Sequence, residues 1–374
     1  MADPKKTLVL AGGGGGDALG ALMVARALGL SDDDVAFATI VWERSLYDPQ
    51  PGPRSPEDFA SIEAVGMHNH RIGPNHQLRS PAVTFVPRLA EAFGVSYYLM
   101  DIARGAQHVQ RQVAELQALH GFEDILVVDV GGDILARGDE EKLRSPTADS
   151  MALAGVHGAE ADVRVAVTGL GLDGELTEED MTTIRTELDV DASYAPPTPI
   201  TASTAEAYID AFQWLPSEVS GMTCAAALGY HGTAEIRRSG MRVDLTADSH
   251  TIRVYPYADV LARNEIARAS VETTSLRETE DVVRSFGLTS EIDLERRSNG
   301  TISTTNGQMM NGELEELQSE LLAYTTDVKE EGVQYLSQRR IAKVLGLNRT
   351  GLDHFKEHLH DTHPDRLQPP VWIC

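Results

Sequence analysis

Thr7–Leu28 reads TLVLAGGGGGDALGALMVARAL, and this stretch sets the expected fold. Thr7–Ala11 is short, apolar and followed by glycine, which predicts a strand. Behind the five glycines, Leu19 and Leu22 recur at helical spacing, so Ala18–Leu28 predicts a helix. A strand that turns through glycines directly into a helix is the first half of a parallel-sheet unit.

Four further apolar runs alternate with helical segments along the chain. We predict strands at Val35–Trp42, Val95–Met100, Asp124–Val130 and Asp162–Val167. This alternation predicts an α/β fold with a mostly parallel sheet and helices on both of its faces. The main domain is expected to span residues 1–300. Residues 310–374 are expected to form a C-terminal helical tail, with helices at Gly312–Tyr324 and Gly332–Leu345, after a polar boundary at Ser298–Gln308.

The bulk composition excludes several classes of protein. The 374 residues carry a formal charge of −25 at pH 7, so neither nucleic acid nor an anionic membrane is expected as a partner. Cys224 and Cys374 lie far apart and form no CxxC motif, which excludes a cysteine zinc site and fits a cytoplasmic protein. No apolar stretch reaches the ~18 residues of a membrane span. A homo-oligomer stays open, because a local apolar patch suffices.

Glycines and carboxylates follow the predicted strands. They are Gly12–Gly16 with Asp17, Glu43 with Arg44, Asp101, Gly131 and Gly132 with Asp133, and Gly169 and Gly171 with Asp173 and Glu175. In open α/β sheets, ligands bind at the carboxyl ends of the strands. The sequence therefore predicts one shared polar ligand site at this edge of the sheet.

The first glycine loop predicts contact between a ligand and the backbone. Its predicted substrate-binding residues are Gly13, Gly14, Gly15 and Gly16. Glycines allow close approach, and the next helix begins with N–H groups that attract an anion. Gly13-x-Gly15-x-x-Ala18 matches a dinucleotide fingerprint with Glu43 as the ribose-binding acid, which makes NAD(P) the alternative cofactor. Asp17 would repel a pyrophosphate unless a cation or a hydroxyl lies between them, and a tight turn without a ligand is the structural alternative.

The second motif, VVDVGGDILARGDEEKLRSPTAD, spans residues 127–149. Clustered carboxylates without thiolates suit a hard cation, so Asp17, Asp129 and Asp133 are the predicted ligands of Mg²⁺ or Ca²⁺. For Asp129 the alternative is a structural carboxylate that accepts N–H groups of the loop. Further predicted substrate-binding residues are Asp17, Glu43, Arg79, Gly131, Gly132, Ser145 and Asp149.

The third motif, TGLGLDGEL, places Asp173 and Glu175 around a glycine turn. The two predict a general acid–base pair or further metal ligands, with a helix cap as the alternative. His70 lies in Tyr47–Arg88, a Pro- and His-rich segment that predicts a long functional loop. We expect His70 to be the third catalytic residue, and Arg79 of the same segment to reach an anionic ligand.

The remaining motifs give weaker signals. LSQRRIAKVLGLNRTGLDHFKEHL, residues 336–359, has a helix-turn-helix appearance with Arg339, Arg340 and Lys343 on one side. Because the chain is acidic, a small helical cap is favoured over a DNA reader. Cys224 lies in an apolar run and no G-x-S-x-G elbow is present, so nucleophilic catalysis finds little support. His231 and Arg237 follow that run and are further site candidates, although their spacing carries no motif.

The combination of AGGGGGD, DVGGDILARGDEEKLRSPTAD and GLGLDGEL resembles an uncharacterised domain-of-unknown-function family found in archaea and bacteria. The resemblance covers roughly residues 5–300, and the tail lies outside it. It implies a Rossmann-like α/β fold, and it places Gly12–Asp17, Asp129, Asp133, Ser145, Asp149, Asp173 and Glu175 on recurrent motif positions. It implies no established activity.

These residues together predict a small-metabolite enzyme. A metal-assisted hydrolase or lyase is favoured, with a phosphate-, nucleoside- or sugar-containing substrate, because the site is rich in carboxylates and has no thiol. Asp173, Glu175 and His70 are the residues expected to move protons. Two alternatives stay open, namely an NAD(P)-dependent oxidoreductase and a non-catalytic metabolite sensor with the tail as its output element.

Overall fold

The computed structural model describes residues 6–189, 196–298 and 309–374. The strands are β1 (Thr7–Ala11), β2 (Val35–Thr39), β3 (Glu63–Val65), β4 (Asn69–Ile72), β5 (Tyr97–Leu99), β6 (Asp124–Val130), β7 (Asp162–Thr168), β8 (Thr198–Pro199), β9 (Gly232–Ile236), β10 (Met241–Leu245), β11 (Thr251–Pro256), β12 (Val333–Ser337), β13 (Leu367–Gln368) and β14 (Val371–Ile373). These strands form two sheets.

The helices lie between the strands and after them. They are α1 (Asp17–Ala27), α2 (Val86–Phe93), α3 (Ala106–His120), α4 (Pro146–Gly155), α5 (Glu178–Leu188), α6 (Ala202–Glu206), α7 (Glu218–Ala227), α8 (Tyr257–Arg263), α9 (Glu265–Ser270), α10 (Leu276–Ser285), α11 (Glu291–Ser298), α12 (Asn311–Glu330), α13 (Gln338–Val344) and α14 (Arg349–Thr362). No helix within the described ranges is long and apolar enough to span a membrane.

The larger sheet has the strand order β3-β4-β5-β2-β1-β6-β7-β11-β8. Its five central strands, from β5 to β7, run parallel to one another, and the strands at both edges are antiparallel. The prediction of a large, mostly parallel sheet flanked by helices is therefore confirmed. All residues of β1 and β6 are buried, which explains the apolar runs Leu8–Ala11 and Ile125–Val128 within them.

The two faces of this sheet pack against different helices. Leu8 and Leu10 of β1 face one core with residues of α3 and α4, whereas Val9 and Ala11 face a second core with α1 and α7. This division follows from the alternation of side chains along a strand. The path of the chain also moves from β1 outward through β2 to β5, and then returns to β6 on the other side of β1. The order reverses between β1 and β6, and ligands of open α/β sheets bind at such a reversal, outside the carboxyl ends of the strands.

The smaller sheet corrects the expected tail. Its strand order is β10-β9-β12-β14-β13, so the hairpin β9–β10 shares a sheet with three strands from beyond residue 310. The interpretation of residues 310–374 as purely helical is therefore wrong, and the predicted helix Gly332–Leu345 is β12 followed by α13. Val333–Ser337 became a strand because β9 and β14 offer it partners on both sides. Most of the expected boundary, residues 299–308, lies outside the described residues.

The segment Tyr47–Arg88 is also more ordered than expected. It contains the hairpin β3–β4, and β4 pairs with β5 and thereby extends the large sheet. Before α7 the helical structure is interrupted, since α6 ends at Glu206 and a 3-10 helix covers Ile209–Gln213. The central strands match their predicted positions better, because apolar residues predominate in each of them.

Replacing Gly16 tests how tightly α1 and α7 are joined. A Cβ at Gly16 would lie 1.9 Å from Ser217 Oγ and 2.9 Å from Ser217 Cα. Gly16→Ala should therefore force the two helix N-termini apart and lower the free energy of unfolding by about 1–3 kcal/mol. Urea denaturation of the purified protein measures this change. Gly312→Ala is the control, because a Cβ at Gly312 would meet no atom within 4 Å and α12 should be unchanged or slightly stabilised.

Candidate functional site

Carboxylates from three neighbouring elements meet at the reversal point of the large sheet. Asp17 begins α1, Asp129 lies at the end of β6, and Asp149 lies in the first turn of α4. Each offers an oxygen, and these oxygens all lie within 4.8 Å of one another. We call this group the first triad. It keeps two of the three predicted metal ligands, but Asp149 rather than Asp133 is the third member.

Asp133 belongs to a second group. Its carboxylate lies with those of Asp173 and Glu175, again with one oxygen of each within 4.8 Å of the others. We call this group the second triad. Five of the six side chains in the two triads are buried, and Asp17 is partly buried. The shared polar site expected at the strand ends thus brings residues of all three sequence motifs together.

The members of the first triad differ in their hydrogen bonds, and Asp149 is the least compensated of the three. Asp17 accepts the backbone N–H of Gly13, and Asp129 Oδ2 accepts the N–H of Gly132 at 2.7 Å. Asp149 Oδ1 is buried without a hydrogen-bond partner among the described residues. An unpaired buried carboxylate oxygen is costly, so this position favours a positively charged ligand.

Burial and mutual repulsion set the protonation of the first triad. Burial raises the pKa of Asp17 to about 7, against the opposing effects of Arg44 and the Gly13 N–H. Burial, followed by repulsion from neighbouring carboxylates, raises the pKa values of Asp129 and Asp149 well above their ordinary range. Burial and repulsion thus favour the protonated forms of these carboxyls, and a divalent cation at the triad would displace those protons.

Glu175 is held in the ionised form by its neighbours. Its Oε1 accepts Arg237 Nη2 at 2.7 Å and the Ser145 hydroxyl. Its Oε2 accepts the backbone N–H groups of Arg144 at 2.6 Å and Ser145 at 2.8 Å. Burial raises the pKa of Glu175, but Arg237, Ser145 and the Arg144 N–H together lower it below its ordinary value. With both oxygens occupied by donors, Glu175 is poorly placed to coordinate a cation or transfer a proton.

Asp173 has the opposite environment. Its Oδ1 accepts the Glu175 N–H at 2.8 Å, and its Oδ2 is buried without a hydrogen-bond partner among the described residues. Burial, with repulsion from Glu175, raises the pKa of Asp173 to about 7. Carboxylates whose pKa values are separated by their surroundings are candidates for different roles. Asp173 is therefore the better proton-transfer group, and it is not a helix cap, because Thr177 caps α5.

Gly131, in the glycine pair of the second motif, makes room for Asp173. Gly131 and Gly132 have φ values of +143° and +98°, which side-chain-bearing residues rarely adopt. A Cβ at Gly131 would also lie 2.9 Å from Asp173 Oδ2. Asp129 holds this turn through the Gly132 N–H, so its structural role and its place in the triad are compatible.

The first glycine loop is occupied by the protein itself. Gly13 donates its N–H to Asp17, and a Cβ at Gly14 would lie 2.9 Å from the carbonyl oxygen of Trp42. Only Gly15, of the five glycines, has a positive φ, at +63°. The Gly13 donor expected to face an anionic ligand therefore faces the Asp17 carboxylate, and the loop is a tight turn packed on the segment after β2.

Glu43 is bonded to the segment that precedes α2. Its Oε1 accepts the Thr84 hydroxyl and the Phe85 N–H, each at 3.1 Å. Burial raises the pKa of Glu43 to about 7, against these two hydrogen bonds. The side chain lies near the glycine loop, within 3.7 Å of a Cβ built at Gly15. It borders the site, but its contacts anchor Thr84 and Phe85.

His70 and Arg79 lie away from the carboxylates. His70 is in β4, and three strands separate β4 from β6, a distance of ~19 Å at ~4.8 Å per strand. Burial lowers the pKa of His70, and the charges around it are those of Glu57, Arg104 and Glu115. Arg79 is exposed, and its Nε donates to the carbonyl oxygen of Glu57 at 3.3 Å. The structure does not bring either residue to the triads, because their segment folds as a hairpin at the outer edge of the sheet.

Arginines take the place expected for His70 and Arg79. Arg44, Arg144, Arg237 and Arg339 line a cleft of about 160 Å³, together with Ser145, Glu175 and Glu291. These arginines come from the segments that follow β2 and β6, the turn between β9 and β10, and α13. Sequence reasoning assigned Arg339 to a helical cap, because no local motif shows that β12 carries α13 to this edge.

The fold and this edge define a class of protein, an α/β protein with a buried carboxylate cluster beneath arginines at its parallel strand ends. A family model described as "Protein of unknown function (DUF1152)" matches residues 8–299, and the chain belongs to this family. The expected membership in an uncharacterised family is confirmed. No curated protein and no solved structure matches the chain. Arg339 lies beyond the matched residues.

The raised pKa values predict an unusual dependence of stability on pH. Asp17 and Asp173 titrate near 7 in the folded protein and near 3.8 when free. The folded state therefore binds protons more tightly, and this contribution to stability is present below pH 4 and is lost as pH rises through 7. In the presence of a chelator, Asp149→Asn should raise the free energy of unfolding at pH 8 by about 1 kcal/mol or more, because it removes a repelling charge.

Asp48→Asn is the matched control for this substitution. Asp48 is equally buried, but it forms a short ion pair with Arg54 at 2.7 Å. Breaking a buried pair should cost about 3–5 kcal/mol. Urea denaturation of both variants at pH 8 with a chelator makes the comparison. A loss of stability in Asp149→Asn similar to that in Asp48→Asn would contradict the assignment of unrelieved repulsion to the first triad.

Proposed function

We propose that this protein is a divalent-cation-dependent hydrolase or lyase that acts on a small polar metabolite with a phosphate, nucleoside or sugar-like part. Two buried carboxylate oxygens carry the proposal, Asp149 Oδ1 and Asp173 Oδ2. Neither has a hydrogen-bond partner among the described residues, and both lie at the same edge of the large sheet. The first belongs to a group suited to a cation, and the second belongs to a carboxyl with a pKa near 7.

The chemistry of the first triad supports Mg²⁺ or Ca²⁺. Asp17, Asp129 and Asp149 offer only carboxylate oxygens, which hard cations prefer. A bound cation would lower the pKa of a coordinated water or polarise a substrate oxygen. Asp17 also accepts the Gly13 N–H, and Asp129 accepts the N–H groups of Gly132 and Ile134, so the protein fixes the direction of these two carboxylates.

The second triad supports a division of labour between its members. Asp173 would give or take the proton, because its Oδ2 has no hydrogen-bond partner among the described residues and its pKa is about 7. Glu175 would act as a positioning residue, since it orders the Ser145 turn and Arg237 through four hydrogen bonds. Asp133, close to Ser145 Oγ at 3.4 Å, would complete the polar wall.

A Rossmann-like fold is part of this proposal, and the order β5-β2-β1-β6-β7 of the parallel strands supports it. The NAD(P) alternative receives no such support. Asp17 occupies the Gly13 N–H, and the hydrogen bonds of Glu43 Oε1 go to Thr84 and Phe85. We favour an enzyme over a sensor, because Asp173 supplies a group suited to proton transfer.

Thermal unfolding with added cations tests the first step. Mg²⁺, Mn²⁺ or Ca²⁺ should raise the Tm of the full chain, since a ligand at 100 times its Kd stabilises the fold by about 2.7 kcal/mol. Asp149→Asn should abolish the shift, whereas Asp139→Asn should keep it, because Asp139 is an exposed carboxylate outside both triads. A wild-type Tm that no divalent cation moves would remove the basis of the proposal.

Turnover then distinguishes an enzyme from a binder. With the stabilising cation present, a panel of sugar phosphates, nucleotides and nucleosides is screened for release of phosphate, base or water. Asp173→Asn should keep the cation-induced rise in Tm and lower kcat by about 10²–10⁴-fold, the usual contribution of a positioned acid or base. Full activity in Asp173→Asn would show that another group moves the proton.

A further inference from the structure

The arginines of the cleft are not fully paired with the carboxylates below them. Arg44 is exposed, and its side chain makes no hydrogen bond or ion pair within the described part of the chain. Arg339 donates from Nη1 to Glu218 at 3.0 Å, but its Nε is buried without a hydrogen-bond partner among the described residues. Arg237 binds Glu175 through Nη2 alone. Each guanidinium therefore has donors left for a ligand.

The backbone at Arg237 is unfavourable for a residue with a side chain. Its φ is +55°, and it is the only non-glycine residue with a positive φ in the three described ranges. Glycine at this turn would remove the strain, yet the chain has an arginine there. The Arg237 N–H donates to Glu218 at 2.8 Å, which fixes the turn. Strain retained where a charged side chain enters a cleft is a signature of function.

The three guanidinium groups also crowd one another. Burial lowers the pKa of Arg339, and repulsion from Arg44 and Arg237 lowers it further, against the attraction of Glu218. Glu218 is shared, since it also accepts the Arg237 N–H and the Ser337 hydroxyl. A ligand with negative charge at this point would relieve the repulsion between the arginines.

We propose that Arg44, Arg237 and Arg339 bind the phosphate group of the substrate at the mouth of the carboxylate cluster. The inference rests on the proposed function and narrows its substrate class to phosphorylated metabolites. A single carboxylate needs only one bidentate arginine, whereas three converging guanidiniums suit an anion with two charges and several acceptor oxygens. The cleft of about 160 Å³ opens beside Glu175, so the phosphate would lie next to the second triad.

This site needs the C-terminal part of the chain. Arg339 lies in α13, and its Ser337 neighbour ends β12, which pairs with β9 in the smaller sheet. The same sheet holds the turn of Arg237 between β9 and β10. The smaller sheet therefore presents two of the three arginines to the edge of the larger sheet.

Isothermal titration calorimetry with inorganic phosphate tests the inference on the full chain at saturating Mg²⁺. Arg44→Ala and Arg339→Ala should each weaken phosphate binding by about 10-fold or more, because each removes charged hydrogen bonds. Arg238→Ala should leave it unchanged, since Arg238 is the exposed neighbour of Arg237 in the same turn. Arg44→Ala keeps the test valid if loss of the Glu218 pair unfolds Arg339→Ala.

Two further measurements separate this inference from the proposed function. The rise in Tm with Mg²⁺ alone should persist in the arginine variants. If the wild type itself shows no such rise, the cation site is overturned. A normal cation response with no phosphate binding, or with binding that Arg44→Ala and Arg339→Ala leave intact, overturns the arginine site alone. Acetate that binds as tightly as phosphate would overturn the choice of phosphate.

Discussion

Repulsion among buried carboxylates is the constraint on which this structure depends. Asp129, Asp133, Asp149, Asp173 and Glu175 are all at most 7% exposed, and Asp17 lies beside them. Such a group is costly unless protons, arginines or a cation compensate it. The Gly131–Gly132 turn supplies a backbone N–H to Asp129, and Arg237 neutralises Glu175. The negative charge that is least compensated lies on the first triad. The strand ends are thus less stable than their packing alone would allow.

The core of this arrangement could be predicted from the sequence. β1, β6 and β7 each contain a short apolar run, and parallel neighbours place their carboxyl ends at one edge. Asp17, Asp129 and Asp173 follow or end these strands, so their convergence follows from local pattern and sheet topology. The grouping of Asp149 with Asp17 could not be predicted, because it depends on where α4 starts relative to the glycine loop.

Long-range pairing explains the residues that sequence reasoning missed. Arg339 enters the site only because β12 pairs with β9, which lies far away in sequence. His70 was expected in the site as part of a mobile loop, but β4 pairs with β5 and fixes it at the sheet edge. The bond from the Gly13 N–H to Asp17 could not be foreseen for a different reason, since a glycine N–H can serve an internal carboxylate as readily as a ligand. Side-chain identity alone does not distinguish these cases.

The central claim is that Asp17, Asp129 and Asp149 bind a divalent cation, and anomalous diffraction tests it most directly. Crystals of the full chain soaked in Mn²⁺ would be measured at the manganese absorption edge. The account predicts one strong peak within about 2–2.6 Å of a carboxylate oxygen from each of the three residues. A peak elsewhere, or none at this triad, would contradict the account and leave the carboxylates as a proton-sharing cluster.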